Sequence, residues 1–129
     1  MESLLEIVLS PDAPQPIGPY SQAVKSRDLL FCSGQIAIDP KTGEMVQSSI
    51  EEETKQVMKN LHAVLAASGA TFANVVKTTI FLTNMADFTS VNSVYEIGLG
   101  TSRPARSTVQ VAALPKGARV EIECVASLK

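Results

Sequence analysis

Two runs of alternating polar and apolar residues restrict this chain more than any other feature. Arg106-Ser107-Thr108-Val109-Gln110-Val111-Ala112 and Ala118-Arg119-Val120-Glu121-Ile122-Glu123-Cys124-Val125-Ala126 are separated by Leu114-Pro115-Lys116-Gly117. A period of two is that of a strand with one face buried and the other wet. Proline and glycine between the runs mark a turn, so the pair reads as a β-hairpin. One parity collects Val109, Val111, Val120, Ile122 and Cys124; the other collects Arg106, Thr108, Gln110, Glu121 and Glu123. On that reading a guanidinium and carboxylates face a common space. There they can hold a small carboxylate and handle protons beside it. An ordinary solvated sheet face is the alternative.

The rest of the chain reads as α+β. Residues 4–9 form a short apolar edge strand, and Ser10-Pro11-Asp12-Ala13-Pro14-Gln15-Pro16 is loop, since proline interrupts both helix and ladder. From Gly18 the chain enters a strand to Val24, turns at Arg27-Asp28, and returns over residues 29–33. That strand continues to Ile38 through a bulge at Gly34, before a tight turn over 39–43. A helix starts near Ser48 or Ser49, each followed three residues later by a glutamate, which is a capping-box pattern. Its apolar stripe is Ile50, Val57, Met58, Leu61, Val64 and Leu65, and Gly69 stops it. Residues 75–82 form a β-branched strand. A second helix spans about 86–97 with Phe88, Val91, Val94 and Tyr95 inward, ended by Gly98 and Gly100. The expected architecture is a mainly antiparallel six-stranded sheet with two helices on one face. The uncovered face, expected to carry Arg106, Thr108 and Gln110, must then meet water or another subunit.

Composition narrows the function classes. With 129 residues, one domain over 1–129 is expected. Eleven Lys and Arg stand against 13 Asp and Glu, a net charge of −2, which counts against nucleic acid as a partner. No apolar stretch is long enough for a membrane span. The start Met1-Glu2-Ser3-Leu4 lacks the cations of a signal or transit peptide, so a cytoplasmic location is expected. Cys32 and Cys124 lie in apolar runs and read as buried thiols. His62 has no second ligand at metal spacing, so no metal and no cofactor is expected.

Gly18-Pro19-Tyr20-Ser21-Gln22-Ala23, Ser33-Gly34-Gln35, Asp39-Pro40 with Thr42-Gly43, Val76-Lys77-Thr78-Thr79, and Val91-Asn92 with Val94-Tyr95 occur in that order. Pro104-Ala105-Arg106-Ser107-Thr108-Val109, Ala113-Leu114-Pro115-Lys116-Gly117 and Glu121-Ile122-Glu123 complete the set. Across nearly its whole length the chain thereby resembles the Rid (YjgF-like) family. That resemblance implies a chorismate-mutase-like fold and a homotrimer with clefts between subunits. It also implies cofactor-free hydrolysis of 2-iminobutanoate and 2-iminopropanoate, released by pyridoxal-phosphate enzymes, to 2-oxo acids and ammonia.

Arg106 matches the family's carboxylate-binding arginine, whose planar fork grips a carboxylate through two parallel hydrogen bonds. Its alternative is a salt bridge to Glu121 or Glu123. Glu121 matches the glutamate that holds or activates water, or accepts a proton. The resemblance places Asn92 toward the cleft, where a solvated helix-face residue is the alternative. Thr108, two residues after Arg106, shares that face. Tyr20 covers the substrate side chain or donates through its hydroxyl, Gly34 offers backbone groups, and Ser33 is a further lining candidate. For Tyr20 the alternative is an aromatic plug at a subunit boundary, and for Gly34 a bulge that only curves the sheet. Thr108 stands where several members carry cysteine, which rules out a thiol mechanism there. Leu99 replaces a common aromatic and Arg103 adds a cation beside Pro104; both bear on the substrate side chain. Other readings are a ligand-binding or chaperone-like module without turnover, and an endoribonuclease or translation inhibitor.

Overall fold

The structure, a computed structural model, describes residues 5–129; Leu4, expected in the first strand, lies outside the described residues. In chain order the elements are β1 (Leu5–Val8), β2 (Ala23–Ser26), β3 (Leu29–Gln35), α1 (Ile50–Ala66), β4 (Val75–Leu82), α2 (Phe88–Leu99), β5 (Ala105–Gln110) and β6 (Val120–Ser127). The strands form one six-stranded sheet in the order β1-β2-β3-β6-β4-β5. Every neighbouring pair is antiparallel except β4 and β5, so the sheet is mixed. Among the described residues no helix is long and apolar enough to cross a membrane.

The expected hairpin does not form. β4 lies between β5 and β6, antiparallel to β6 and parallel to β5. A parallel pair needs a long crossover, and α2 supplies it. Burial explains the order. β4 is apolar on one parity and takes a central position, whereas β5 is exposed along most of its length and suits an edge. Strand β2 also starts later than expected, at Ala23, because Gly18 has φ +131° and the following residues stay in the loop.

Both helices cover the same face. Ser49 caps α1 by accepting from the Glu52 backbone N–H at 3.0 Å. The stripe residues Val57, Leu61, Val64 and Leu65 are fully buried with Leu30, Ile80, Val120 and Ile122 of the sheet. Gly98 does not end α2 as expected. It lies inside the helix, where an added Cβ would sit 2.8 Å from Met58 Cε. Its missing side chain lets α2 approach α1, and Gly100, at φ +66°, makes the stop. The thiols of Cys32 and Cys124 are free, buried, and directly opposite each other on β3 and β6.

Under α2 the hydroxyls of Thr78 and Tyr95 meet at 2.6 Å, both residues being buried. Tyr95→Phe is expected to lower unfolding stability by about 1–2 kcal/mol, because it strands the Thr78 hydroxyl. Adding Thr78→Val should recover part of that loss. Equal losses in the single and double variants, measured in urea, would show that the pair contributes nothing.

Candidate functional site

The residues singled out in the sequence fall into two groups. Tyr20, Gly34 and Glu121 line one cavity of about 270 Å³, together with Ile17, Ile36 and Lys116. A bulge between Cys32 and Gln35 turns the β3 backbone toward β6, as expected at Gly34. There is no room for a side chain: a Cβ on Gly34 would lie 2.6 Å from Glu121 Oε2 and 2.9 Å from its Cγ. Tyr20 is exposed, and its hydroxyl accepts weakly from the Ile17 backbone N–H at 3.4 Å. Ser33 is not part of the lining. Its hydroxyl donates to the Ser21 carbonyl at 2.6 Å and ties the bulge to the preceding loop.

Arg106 and Asn92 form the second group. Arg106 Nη1 donates to Asn92 Oδ1 at 2.6 Å, and the guanidinium lies over the rings of Tyr95 and Phe88, 5.3 and 5.6 Å from their centroids. Among the described residues it has no carboxylate partner, so the expected alternative of a bridge to Glu121 or Glu123 is absent. Its remaining N–H groups are free for an anion. A cleft of about 90 Å³ beside it is lined by Asn92, Tyr95, Glu96, Leu99, Arg103 and Arg106. Thr108 shares the Arg106 face, and its buried Oγ1 has no hydrogen-bond partner among the described residues. A buried orphan hydroxyl costs stability and suits a ligand atom or water.

The two groups stand on opposite faces of the sheet, which corrects the expectation that Arg106 and Glu121 share one. Arg106 and Thr108 pair with Thr78 and Ile80, on the helix side. Glu121 and Glu123 pair with Phe81 and Thr79, on the open side. The apolar parity of β6 is buried as expected, but β5 lies at the edge. There Val109 is left exposed and the polar parity points toward α2.

Two supports escaped the sequence reading. Buried Gln22 donates to the carbonyls of Ser10 and Pro14 at 3.2 and 2.8 Å, which folds the proline-rich loop into a cavity wall. Buried Asn60 donates to the carbonyls of Ile36 and Ile38 at 3.0 and 2.8 Å. A polar residue three positions after Val57 on an apolar helix stripe is the signal that marks it.

Burial raises the Glu121 carboxyl above the ordinary value of 4.5, and the neighbouring charge of Glu123 adds to the effect. The folded chain therefore binds this proton more tightly than the unfolded chain. Its contribution to stability falls as pH rises from the ordinary value through the folded one. Glu121→Gln is expected to remove that slope and to melt above wild type at neutral pH. Thermal melts across pH test this; unchanged melting behaviour would contradict the buried-charge assignment.

A mixed sheet with two helices on one face, a free guanidinium at one edge and a half-buried carboxylate over a bulge define an α+β protein with a candidate small-ligand site. The comparisons agree. Residues 10–128 match the family model described as Endoribonuclease L-PSP. The mouse protein named 2-iminobutanoate/2-iminopropanoate deaminase is 49% identical, over 98% of this chain and 94% of its own length. A Yersinia pestis structure of YyfA, described as of the conserved Rid protein family, superposes with a TM-score of 0.92 at 50% identity, covering 95% of this chain and 98% of its own. The Escherichia coli protein TdcF, solved with bound serine, superposes with a TM-score of 0.89 at 36% identity, covering 95% and 98%. This chain belongs to the Rid (YjgF, L-PSP) family.

Proposed function

We infer that this protein hydrolyses small 2-imino acids to 2-oxo acids and ammonia, in clefts between the subunits of a homotrimer. The observation that carries the reading is Arg106: a guanidinium oriented by Asn92 and two aromatic rings, with no salt bridge among the described residues. Such a fork takes the substrate carboxylate. The names of the mouse relative and of the serine-bound Escherichia coli structure support that class of ligand.

Hydrolysis itself makes modest demands. Water adds its oxygen to C2 of the imine as one of its protons passes to nitrogen, giving a carbinolamine. The remaining hydroxyl proton then passes to nitrogen, the C–N bond breaks with its electron pair, and ammonia leaves as C2=O forms. Glu121 holds that water and moves the proton, a task suited to a carboxyl whose affinity for protons is raised. Tyr20 covers the substrate, Gly34 admits it close to the backbone, and Asn92 and Thr108 complete the anion side.

A single chain keeps Arg106 and Glu121 on opposite faces, so a complete cleft needs a second copy. The open face supports self-association: Ile7, Phe31 and Val109 are 72%, 47% and 43% exposed there. Three copies in a ring would set each β5 edge beside a neighbour's Glu121 cavity. Sedimentation equilibrium should give three times the 13.7 kDa chain mass.

The direct test generates 2-iminobutanoate with threonine dehydratase and traps the surviving imine with semicarbazide. Wild type should lower trapping and speed 2-oxobutanoate release, whereas Arg106→Ala should not, and Arg106→Lys should recover little because an ammonium cannot fork. No effect of wild type on trapping would sink the imine reading. Salt-sensitive cleavage of RNA would instead favour the activity named in the family description.

A further inference from the structure

We propose that the ion pair of Glu53 and Arg119 is a positioning device for the cleft. From the helix side of the sheet it sets the turn that carries Lys116 and the start of the strand that carries Glu121. The kinetic part of this proposal rests on the deaminase reading; the conformational part does not.

Glu53 lies in the first turns of α1, with its side chain fully buried. One carboxylate oxygen accepts from the Arg119 backbone N–H at 2.7 Å and the other from Arg119 Nε at 2.7 Å. Gln47 extends the cluster. Its Nε2 donates to the Gly117 carbonyl at 2.9 Å, and its own carbonyl accepts from Arg119 Nη2 at 3.3 Å. The Arg119 carbonyl in turn accepts from the Thr83 N–H at 3.2 Å. Both backbone groups of Arg119 and the end of the Pro115–Gly117 turn are thus held from α1, the preceding loop and the end of β4.

What this cluster holds is unusual. Lys116 has φ +55° and ψ +29°, the left-handed region that a side-chain-bearing residue enters at a cost. Arg27 also has a positive φ, but it sits in the two-residue turn joining β2 to β3, where hairpin geometry favours that conformation. No hairpin makes that demand at Lys116, which lies in the wall of the cavity it shares with Glu121. A buried charge and a left-handed lysine are both poor ways to gain stability, since apolar side chains of similar volume serve a fold as well or better. Together they place the cavity wall at a defined depth beside Glu121, two residues beyond Arg119.

Glu53→Gln keeps the shape and one acceptor but removes the charge. We expect kcat to fall about tenfold or more, as for a misplacement of a fraction of an ångström, with KM for the imine within about twofold, because Arg106 is untouched. Trypsin should cut after Lys116 in the native variant and not in native wild type, read by mass spectrometry. Glu52→Gln, which breaks only the exposed pair with Lys55, should match wild type in both readouts. If Glu53→Gln melts lower yet keeps wild-type kcat and resists trypsin at Lys116, the pair is only structural and the proposal is overturned. If wild type itself turns over no imine, the deaminase reading fails, and trypsin at Lys116 alone decides: cleavage confined to the variant supports the positioning role, equal resistance overturns it. Should Glu53→Gln not fold, Arg119→Lys takes its place. It keeps the charge and the backbone donor, loses the Nε bond, and is judged by the same outcomes.

Discussion

Refolding equal amounts of Arg106→Ala and Glu121→Gln chains together is expected to restore about a quarter of wild-type turnover, although each variant alone is inactive. The expectation follows from the faces of the sheet. Arg106 pairs across to Thr78 on the helix side, and Glu121 pairs across to Phe81 on the open side. If each cleft takes its arginine from one subunit and its glutamate from the next, random mixing makes about one junction in four intact on both sides. Were both residues of one chain to serve one site, every site in the mixture would carry a lesion. The rate of 2-oxobutanoate release from the refolded mixture decides between them. Activity no higher than that of either parent would sink the inter-subunit cleft.

Gly34→Ala is expected to lower kcat by about 10²-fold while changing the unfolding midpoint little. The methyl group would lie 2.6 to 2.9 Å from Oε2, Cδ and Cγ of Glu121, closer than any real contact of a Cβ. The Glu121 side chain is flexible and half-buried, so it can rotate away cheaply and the fold survives. Its carboxyl cannot stay where it is, and in the proposed mechanism the attacking water would lose its position with it. KM should change less than kcat, because Arg106, which holds the substrate carboxylate in the proposed cleft, is untouched. A kcat close to wild type would mean that Glu121 acts from another rotamer, or not at all.

Much of the fold was legible in local patterns. The Ser49 cap, the stripe from Val57 to Leu65, the bulge at Gly34 and the buried parity of β6 all appear as read. Each depends on residues a few positions apart, where period and capping act directly. The second helix was legible except for Gly98, whose role is a contact with Met58 across the helix pair. The candidate site residues were nominated by motif, but their arrangement was not legible. Ser33 turned inward to a backbone carbonyl, and Gln22, Asn60 and Glu53 do their work through partners distant in sequence.

By itself the sequence determined most of the segments that become helix and strand and which parity of β6 is buried, and it nominated the residues proposed for the site. Tertiary structure alone decided that β4 separates β5 from β6 and that Arg106 and Glu121 stand on opposite faces. The physical reason is range. Alternation states which residues of one strand share a face, but the face each strand turns to the helices is set by the burial of the whole sheet. At its edge, beyond the cover of the helices, burial no longer selects the apolar side, and the arginine is free to take the face beside α2.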